Sequence, residues 1–518
     1  MYLPLDGRGP LHGQLVRSLK DAVLAGRLPA GMRFPPSRLL AQELGLSRNT
    51  VLAAYEQLRA EGFMQARVGS GSFVVLPGAP AQPRSEPPAR IPAQSDYARR
   101  LRRYHDHANI PGRRLPGTVH SFQYGVPFTN PLLTSAWARA LSHAAAYTPP
   151  NYPAAQGLPA LRAAVCEYLS LRRGVRAAPE DVVIVAGTQQ AISLAARVLL
   201  DEGDEVALED PQYFAVREAL QIHGARLLPI PVDREGLRTD LLPERPPRLI
   251  CVTPSHQFPT GALMSLPRRR ALLDYARRHE CWIFEDDYDG EFRFDAQPHA
   301  ALYGLDDARR TLYVGTFSKV LFPSLRLGYL VVPPGLREDF VSAKWADDFG
   351  SPGIEQAALA HFLADGGFER HLRRTAKTLR QRREALLAAL RRLAGDALEI
   401  QDSRAGMHLL VWLRGCTPAQ GDAFVAHAQA RGLGLYSVAP CYMQAPVRAG
   451  LLFGYGALSV AEIEEAARLL AACLDEPDFA AAARAAPTGR SRGGRAPVGA
   501  ARAATATIRL RRGFRRER

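Results

Sequence analysis

Cysteine is scarce in this chain, long apolar runs are missing, and acidic residues are outnumbered. The six cysteines, Cys166, Cys251, Cys281, Cys416, Cys441 and Cys473, are widely scattered, with no C-x-x-C and no ligand-like clustering with histidine. That excludes a disulfide framework and a zinc site, so no metal is expected and a reduced, cytoplasmic setting fits best. No run of about 18 uncharged apolar residues occurs, which leaves no candidate membrane-spanning helix. Met1–Asp6 lacks a basic stretch followed by an apolar one, so the chain is expected to be soluble and unsecreted. The formal charge is +15, but eleven arginines against one glutamate fall between Phe479 and Arg518, which places about two thirds of the excess in an Ala/Gly/Arg-rich tail. Such a composition buries too little apolar surface to offset the entropy of ordering. Residues 476–518 therefore read as a disordered, solvated extension with salt-sensitive affinity for phosphate backbones.

What is present falls into two very different parts. In residues 1–76, Leu11, Leu15, Leu19 and Val23 share one helical stripe closed by Gly26. A second helix follows Pro35-Pro36, with Ser37 as its N-cap, Leu39, Leu40 and Leu44 on its apolar side, and Gly45 as its end. Ser47 caps a third helix, Arg48 to Arg59, in which Val51, Tyr55 and Leu58 face inward while Arg48, Asn49 and Thr50 project from the first turn. This is the end of a recognition helix that meets base edges and phosphates. Two short strands, Phe63–Arg67 and Ser72–Val75, flank Val68-Gly-Ser-Gly71 as a wing-like hairpin. Residues 77–116 read as a linker. Its first half is a proline-rich spacer, and Tyr97–Tyr104 is expected to form a short basic helix with a solvated face.

Residues 117–475 alternate short β-rich runs with helical ones. The runs are Val182–Val185, Glu205–Leu208, Arg248–Val252, Cys281–Phe284, Thr311–Val314 and Leu327–Val332; the helices are 188–200, 212–223 and 267–279. A buried, mostly parallel sheet covered by helices follows, with ligands beyond the carboxyl ends of its strands. Polar clusters fall at those ends. Gly187, Thr188 and Gln189 open a helix with free N–H groups, hydroxyl and amide, a phosphate cradle. Tyr213 places an aromatic ring suited to covering a planar heterocycle, although core packing is the better reading for a lone tyrosine. Asp286, in Glu285-Asp-Asp-Tyr288, is a buried carboxylate that needs a cation, for which a pyridinium nitrogen would serve. Lys319 follows a buried strand, where desolvation lowers an amine's pKa and favours Schiff-base formation. Arg326 and Thr316 offer donors for a phosphate.

Two resemblances follow. The ordered set Pro36-Ser-Arg38, Ser47-Arg-Asn-Thr50 and Gly69-Ser-Gly71 resembles the winged helix-turn-helix of the GntR family over residues 10–76. It implies binding of a double-stranded DNA operator through Arg38, Ser47, Arg48, Asn49 and Thr50, with Gly69 letting the wing approach the minor groove. The unit's own charge is only about +4, nine Lys/Arg against five Asp/Glu, so pairing of copies is expected. Gly187-Thr-Gln189, Tyr213, Pro259-Thr-Gly261, Asp286-Asp-Tyr288 and Thr316-Phe-Ser-Lys319 with Arg326 resemble, over about residues 120–475, the pyridoxal-phosphate site of fold-type I aminotransferases. The resemblance implies a multidomain α/β chain with a C-terminal α+β subdomain. Lys319 would form the Schiff base with pyridoxal 5'-phosphate, Asp286 would pair with the pyridine nitrogen, and Tyr288 would hydrogen-bond the ring's 3-hydroxyl. Tyr213 would stack on the ring, and Thr188, Gln189, Thr316 and Arg326 would hold the phosphate. Tyr152 would reach the partner's phosphate site in a domain-swapped homodimer.

As a whole the chain resembles the MocR-type transcriptional regulators, which implies control of operator binding by the cofactor, alone or joined to an amine or amino-acid effector. Two positions depart from the enzyme pattern. Phe258 stands where the enzymes usually carry Asn, with His256 or Gln257 as possible substitutes. Leu452 stands nearest the arginine that grips a substrate carboxylate, with Arg448 and Arg404 as possible substitutes. Losing that grip costs about 2–5 kcal/mol of binding. A regulator, acting in vitamin B6 or amino-acid metabolism, is thus favoured over its alternative, a working aminotransferase that carries a DNA-binding module.

Overall fold

The computed structural model describes residues 3–67, 71–76, 93–104, 113–128, 131–294, 300–401, 403–476 and 479. Gly69, the proline-rich half of the linker and the arginine-rich tail lie outside the described residues. The chain divides into two compact units between Ala93 and Gln94. No helix among the described residues is long and apolar enough to cross a membrane.

The first unit packs helices Leu11–Leu24, Ser37–Leu44 and Arg48–Ala60 against the hairpin Met64–Arg67 and Gly71–Val74. Its core is Leu15, Leu19 and Val23 from the first helix, Leu40 and Ala41 from the second, and Val51, Ala54 and Leu58 from the third. Ser47 caps the third helix, its Oγ accepting from the Thr50 N–H at 3.1 Å. Ser37 does not act as expected: Pro36 takes the cap position and Ser37 is the first helical residue, with no side-chain cap bond. Leu11 and Leu39 are exposed, because Leu11 only begins its helix and the second helix turns Leu40 and Ala41 inward instead. The hairpin is antiparallel from Met64↔Val74 to Arg67↔Gly71.

The second unit is built on an eight-stranded sheet. Its spatial order is Val182–Val185, Gly328–Val331, Thr311–Thr316, Trp282–Asp287, Leu249–Val252, Glu205–Asp210, Arg226–Asp233 and Gly236–Leu237. Gly328–Val331 runs antiparallel to both neighbours and Gly236–Leu237 antiparallel to Arg226–Asp233; the other pairings are parallel. Four strands, Val182–Val185 at one edge with Gly328–Val331, Thr311–Thr316 and Leu249–Val252 inside, are rich in Val, Ile and Leu and fully buried, as a sheet covered on both faces requires. The strand Arg226–Asp233 escapes the sequence reading because Pro229 and Pro231 argue against a strand. They are tolerated because its outer edge is paired only at Val232 and Asp233. A four-stranded antiparallel sheet, Leu398–Gln401, His408–Leu413, Gly450–Gly454 and Tyr436–Ser437, forms the C-terminal α+β layer with helices Gly367–Ala394, Pro418–Ala430 and Val460–Leu474.

The linker's basic segment departs from expectation. Asp96–Leu101 is a helix capped by Ser95, and Arg99, Arg102 and Arg103 are solvated, but Arg100 and Tyr104 dock onto the helix Phe214–His223. Arg100 donates to the Ile222 carbonyl at 2.8 Å and to Glu202 at 2.7 Å, and Tyr104 donates to Gln221 at 2.6 Å. A guanidinium at a helix C-terminus meets both orphan carbonyls and the negative end of the dipole.

Three consecutive acids end the strand Trp282–Asp287, and strand alternation sends Asp286 to the face opposite Glu285 and Asp287. Glu285 accepts the N–H groups of Leu302 and Tyr303, each at 2.9 Å. Asp287 pairs with the buried Arg173, whose Nε lies 2.6 Å away, and accepts the Tyr313 hydroxyl. Removing one partner of a buried pair leaves an uncompensated charge. Arg173→Met is expected to lower unfolding stability by about 3–5 kcal/mol, read by denaturant unfolding, with Asp287→Asn in the same chain recovering part of the loss.

Candidate functional site

Asp286, Lys319 and Arg326 converge at the carboxyl ends of the central strands. The strand Thr311–Thr316 ends in a short turn, Phe317–Lys319, fixed by Thr316 Oγ1 accepting the Ser318 N–H at 3.2 Å. That turn sets the partly buried Lys319 amine within 2.8 Å of the Gly125 carbonyl, to which it donates. Burial pulls the amine down to about 8, against Asp289 and Asp286, which raise it, and with Arg326, which lowers it further.

Asp286 is 8 % exposed and meets one weak donor among the described residues, the Thr188 hydroxyl at 3.4 Å. Burial pushes its carboxyl up to about 8, assisted by the neighbouring carboxylates of Asp287 and Asp289. Unlike Asp287, it pairs with no arginine among the described residues.

Gly187 joins this set by its conformation. With φ +95°, it leads the strand Val182–Val185 into the helix Thr188–Leu199, and a Cβ there would fall 3.7 Å from Arg326 Nη1 and 3.8 Å from Thr316 Oγ1. The glycine thus keeps a space open between the helix N-terminus, a hydroxyl and a guanidinium that makes no hydrogen bond or ion pair with another described residue. An anion with several acceptor oxygens suits it. Gln189 is exposed and its amide leans toward the Ala215 carbonyl at 3.4 Å.

Aromatic rings close another side. Tyr213 precedes the helix Phe214–His223 and lies edge-on to Phe258, with ring centroids 5.7 Å apart. Phe258 also meets Tyr124 at 5.8 Å and Tyr288 at 6.0 Å. Leu452, fully buried on Gly450–Gly454, packs with Tyr124, Phe258, Leu410 and Trp412. The position nearest the expected carboxylate clamp is therefore apolar wall.

The substitutes weighed for these departures fare differently. Gln257 is spent: its amide nitrogen donates to the carbonyls of Pro211 and Phe258, and its oxygen accepts from Thr260. Arg448 is engaged with Glu399 at 2.9 Å and lies 4.1 Å over the Trp412 ring. Arg404 is exposed. His256 remains, its Nδ1 2.9 Å from the Tyr288 hydroxyl. Sequence reasoning missed two participants, Gly125, which acts through a backbone carbonyl, and Asp289, whose only signal was its place directly after Tyr288.

Tyr152 takes no part in this set. It is 91 % exposed, with its ring 6.4 Å from Phe349. Among the DNA-facing candidates, Arg38, Ser47, Arg48 and Asn49 are exposed and Thr50 is half-buried with its Oγ1 2.8 Å from Ser47 Oγ. Neither guanidinium is tied down by a hydrogen bond or ion pair among the described residues, so both are available to phosphates.

The residues present fit pyridoxal phosphate. A depressed amine suits an aldehyde, a buried carboxylate lacking a cation suits a pyridinium, and a glycine-lined space between Thr316 and Arg326 suits a phosphate.

Comparison with known proteins gives the same division. The model for bacterial regulatory proteins of the gntR family matches residues 11–74, and that for aminotransferase class I and II matches residues 123–451. The probable rhizopine catabolism regulatory protein MocR of Rhizobium meliloti is 38% identical over 470 residues, covering 90% of this chain and 94% of that protein. The pyridoxine biosynthesis transcriptional regulator PdxR of Corynebacterium glutamicum is 31% identical over 446 residues, covering 86% of this chain and 91% of that protein. Among solved structures, the α-aminoadipate aminotransferase LysN of Thermus thermophilus, complexed with N-(5'-phosphopyridoxyl)-L-leucine, superposes with a TM-score of 0.63 at 30% identity, covering 74% of this chain and 95% of that one.

The raised carboxyl of Asp286 makes a signed prediction for the cofactor-free protein. Its folded value of about 8 lies above the ordinary 3.8, so its contribution to stability is complete below about pH 4 and is lost as pH rises through 8. Below about pH 7 Lys319 is charged in both states and adds no slope, and nearer pH 8 it adds one of opposite sign. Denaturant unfolding between pH 5 and 8 should therefore show Asp286→Asn losing less stability with rising pH than the parent, while Glu209, Glu285 and Glu291 contribute equally to both.

Proposed function

Because the chain belongs to the MocR-type regulators, in which a gntR-family DNA-binding domain precedes a pyridoxal-phosphate-binding aminotransferase domain, we propose that it senses the cofactor at Lys319 and changes its operator affinity in response. The signal is the cofactor alone or the cofactor joined to an amine-bearing effector. Bound at Lys319, it supplies an electrophilic carbon for amines and an electron-accepting ring.

Each side chain takes one task in this reading. Lys319 contributes the amine, Asp286 holds a proton on the ring nitrogen, and Tyr288 donates to the ring hydroxyl. Tyr213 covers the ring, and Gly187, Thr188, Gln189, Thr316 and Arg326 hold the phosphate. The carrying observation is the contrast at the site's two ends: Asp286, Lys319 and Arg326 lie together, while the buried Leu452 stands at the position nearest the expected carboxylate clamp. An ordinary amino-acid substrate finds no fork of donors there, which favours a sensor over a catalyst.

Regulation needs a ligand with different affinity for two arrangements, and a mechanical element that differs between them. The helix Phe214–His223 suits that part, since Tyr213 precedes its N-terminus and Arg100 of the linker clasps its last carbonyls. A tilt of the ring-covering tyrosine is then transmitted over about 15 Å to the segment that leads to the DNA-reading unit. A second copy of the chain is also part of the proposal. Tyr152, Phe349 and Trp345 form an exposed aromatic cluster of the kind that marks an interface, and Tyr152 would enter the partner's phosphate site.

Borohydride reduction of the loaded protein, followed by peptide mapping, should place a pyridoxyl group on Lys319 with loss of the visible band; a colourless protein that takes up no added cofactor rules the sensor out. Arg100→Ala should leave the visible band and the cofactor-free DNA affinity unchanged but reduce the affinity change that cofactor causes. An undiminished response would show that the signal does not pass through the linker anchor.

A further inference from the structure

The buried pair of His256 and Asp289 stands directly behind Tyr288. His256 is 2 % exposed and Asp289 1 %. Both carboxylate oxygens of Asp289 lie 3.0 Å from His256 Nδ1, and the Tyr288 hydroxyl lies 2.9 Å from the same nitrogen. A carboxylate can only accept, so Nδ1 carries the proton. The nitrogen then has no lone pair for Tyr288, so toward the phenolic oxygen it can only donate, its N–H being shared with the carboxylate. The Tyr288 proton is left to point elsewhere.

The contact with Asp289 holds the imidazole in this orientation, and the backbone approaches it closely. A Cβ at Gly406, which has φ +78°, would overlap the ring, and one at Gly261 would lie 3.3 Å from Nε2. The backbone therefore encloses it from both sides. Nε2 is buried and has no partner among the described residues. The adjacent His408 donates from Nε2 to the Pro259 carbonyl at 3.1 Å, and burial followed by the neighbouring His256 holds it down at about 4, so it stays neutral.

We propose that His256 and Asp289 are positioning residues that aim the hydroxyl proton of Tyr288 at the ring hydroxyl of the bound cofactor, offsetting the donor absent at Phe258. This rests on the reading that Tyr288 meets that ring hydroxyl. A donor to the ring oxygen competes with the protonated Lys319 linkage for the same oxygen, so it lowers the pH at which the linkage loses its proton. The charged and titratable groups in range are Asp286, Asp287, Asp289 and Glu209 around Tyr288, Asp289 and His408 around His256, and Asp286, Asp289 and Arg326 around Lys319.

The test is a visible-absorption pH titration of the full-length, cofactor-loaded protein. Tyr288→Phe should raise the midpoint of the visible band by about one pH unit, and His256→Leu should raise it by a similar amount. His256→Leu should add nothing further once Tyr288→Phe is present, whereas His256→Gln, which keeps an N–H, should stay near the parent midpoint. Should His256→Leu fail to fold, Asp289→Asn reads the same contact through the difference between its shifts with and without Tyr288→Phe, from which its lost charge cancels. Equal shifts in the two backgrounds overturn the proposal while leaving the role of Tyr288 intact. No shift from Tyr288→Phe overturns the reading beneath it. A stoichiometric divalent metal ion on His256, Asp289 and His408, whose donor atoms lie within 4.8 Å of one another, would also overturn it.

Discussion

A carboxylate taken out of water without a cation is the constraint on which this structure turns. Asp286 sits between two acids whose needs are met inside the protein, Glu285 by backbone N–H groups and Asp287 by Arg173 and Tyr313. Strand alternation turns Asp286 the other way, toward Thr188 and Lys319, where among the described residues a weak hydroxyl contact is the hydrogen bond it receives. The protein holds a charge site ready for a cation that it does not supply. The depressed amine of Lys319 and the open space beside Gly187 are the other two fittings of the same socket.

The neighbouring elements serve that socket by restraint more than by chemistry. The Arg173–Asp287 pair keeps one face of the strand end occupied, and the spent amide of Gln257 fixes the loop that carries Phe258. Phe258, Tyr124 and Leu452 pack into an aromatic and apolar wall.

Much of this was legible in the sequence because it depends on short-range pattern. The strand Val182–Val185 announces itself as a run of β-branched residues, the turn after it by Gly187-Thr188, and the recognition helix by Ser47. What escaped depends on long-range placement. The proline-bearing strand Arg226–Asp233 is a strand only because its outer edge is nearly unpaired. Nothing local to Arg100 predicts that it reaches the carbonyls of Ile222 and His223, more than a hundred residues away. Likewise, Gly125 and Asp289 join the site through a backbone carbonyl and a second layer of contact, neither of which has a sequence signature.

The account's central claim is thermodynamic: one ligand at Lys319 and one DNA site on the first unit are coupled. Linkage makes that coupling reciprocal, so it is measurable from the cofactor side alone. The direct measurement is the cofactor's Kd by absorbance titration, with and without saturating operator DNA selected by the purified protein. The account predicts that the two values differ severalfold, by the same factor by which cofactor alters DNA affinity. Identical values, with cofactor bound in both titrations, would contradict it.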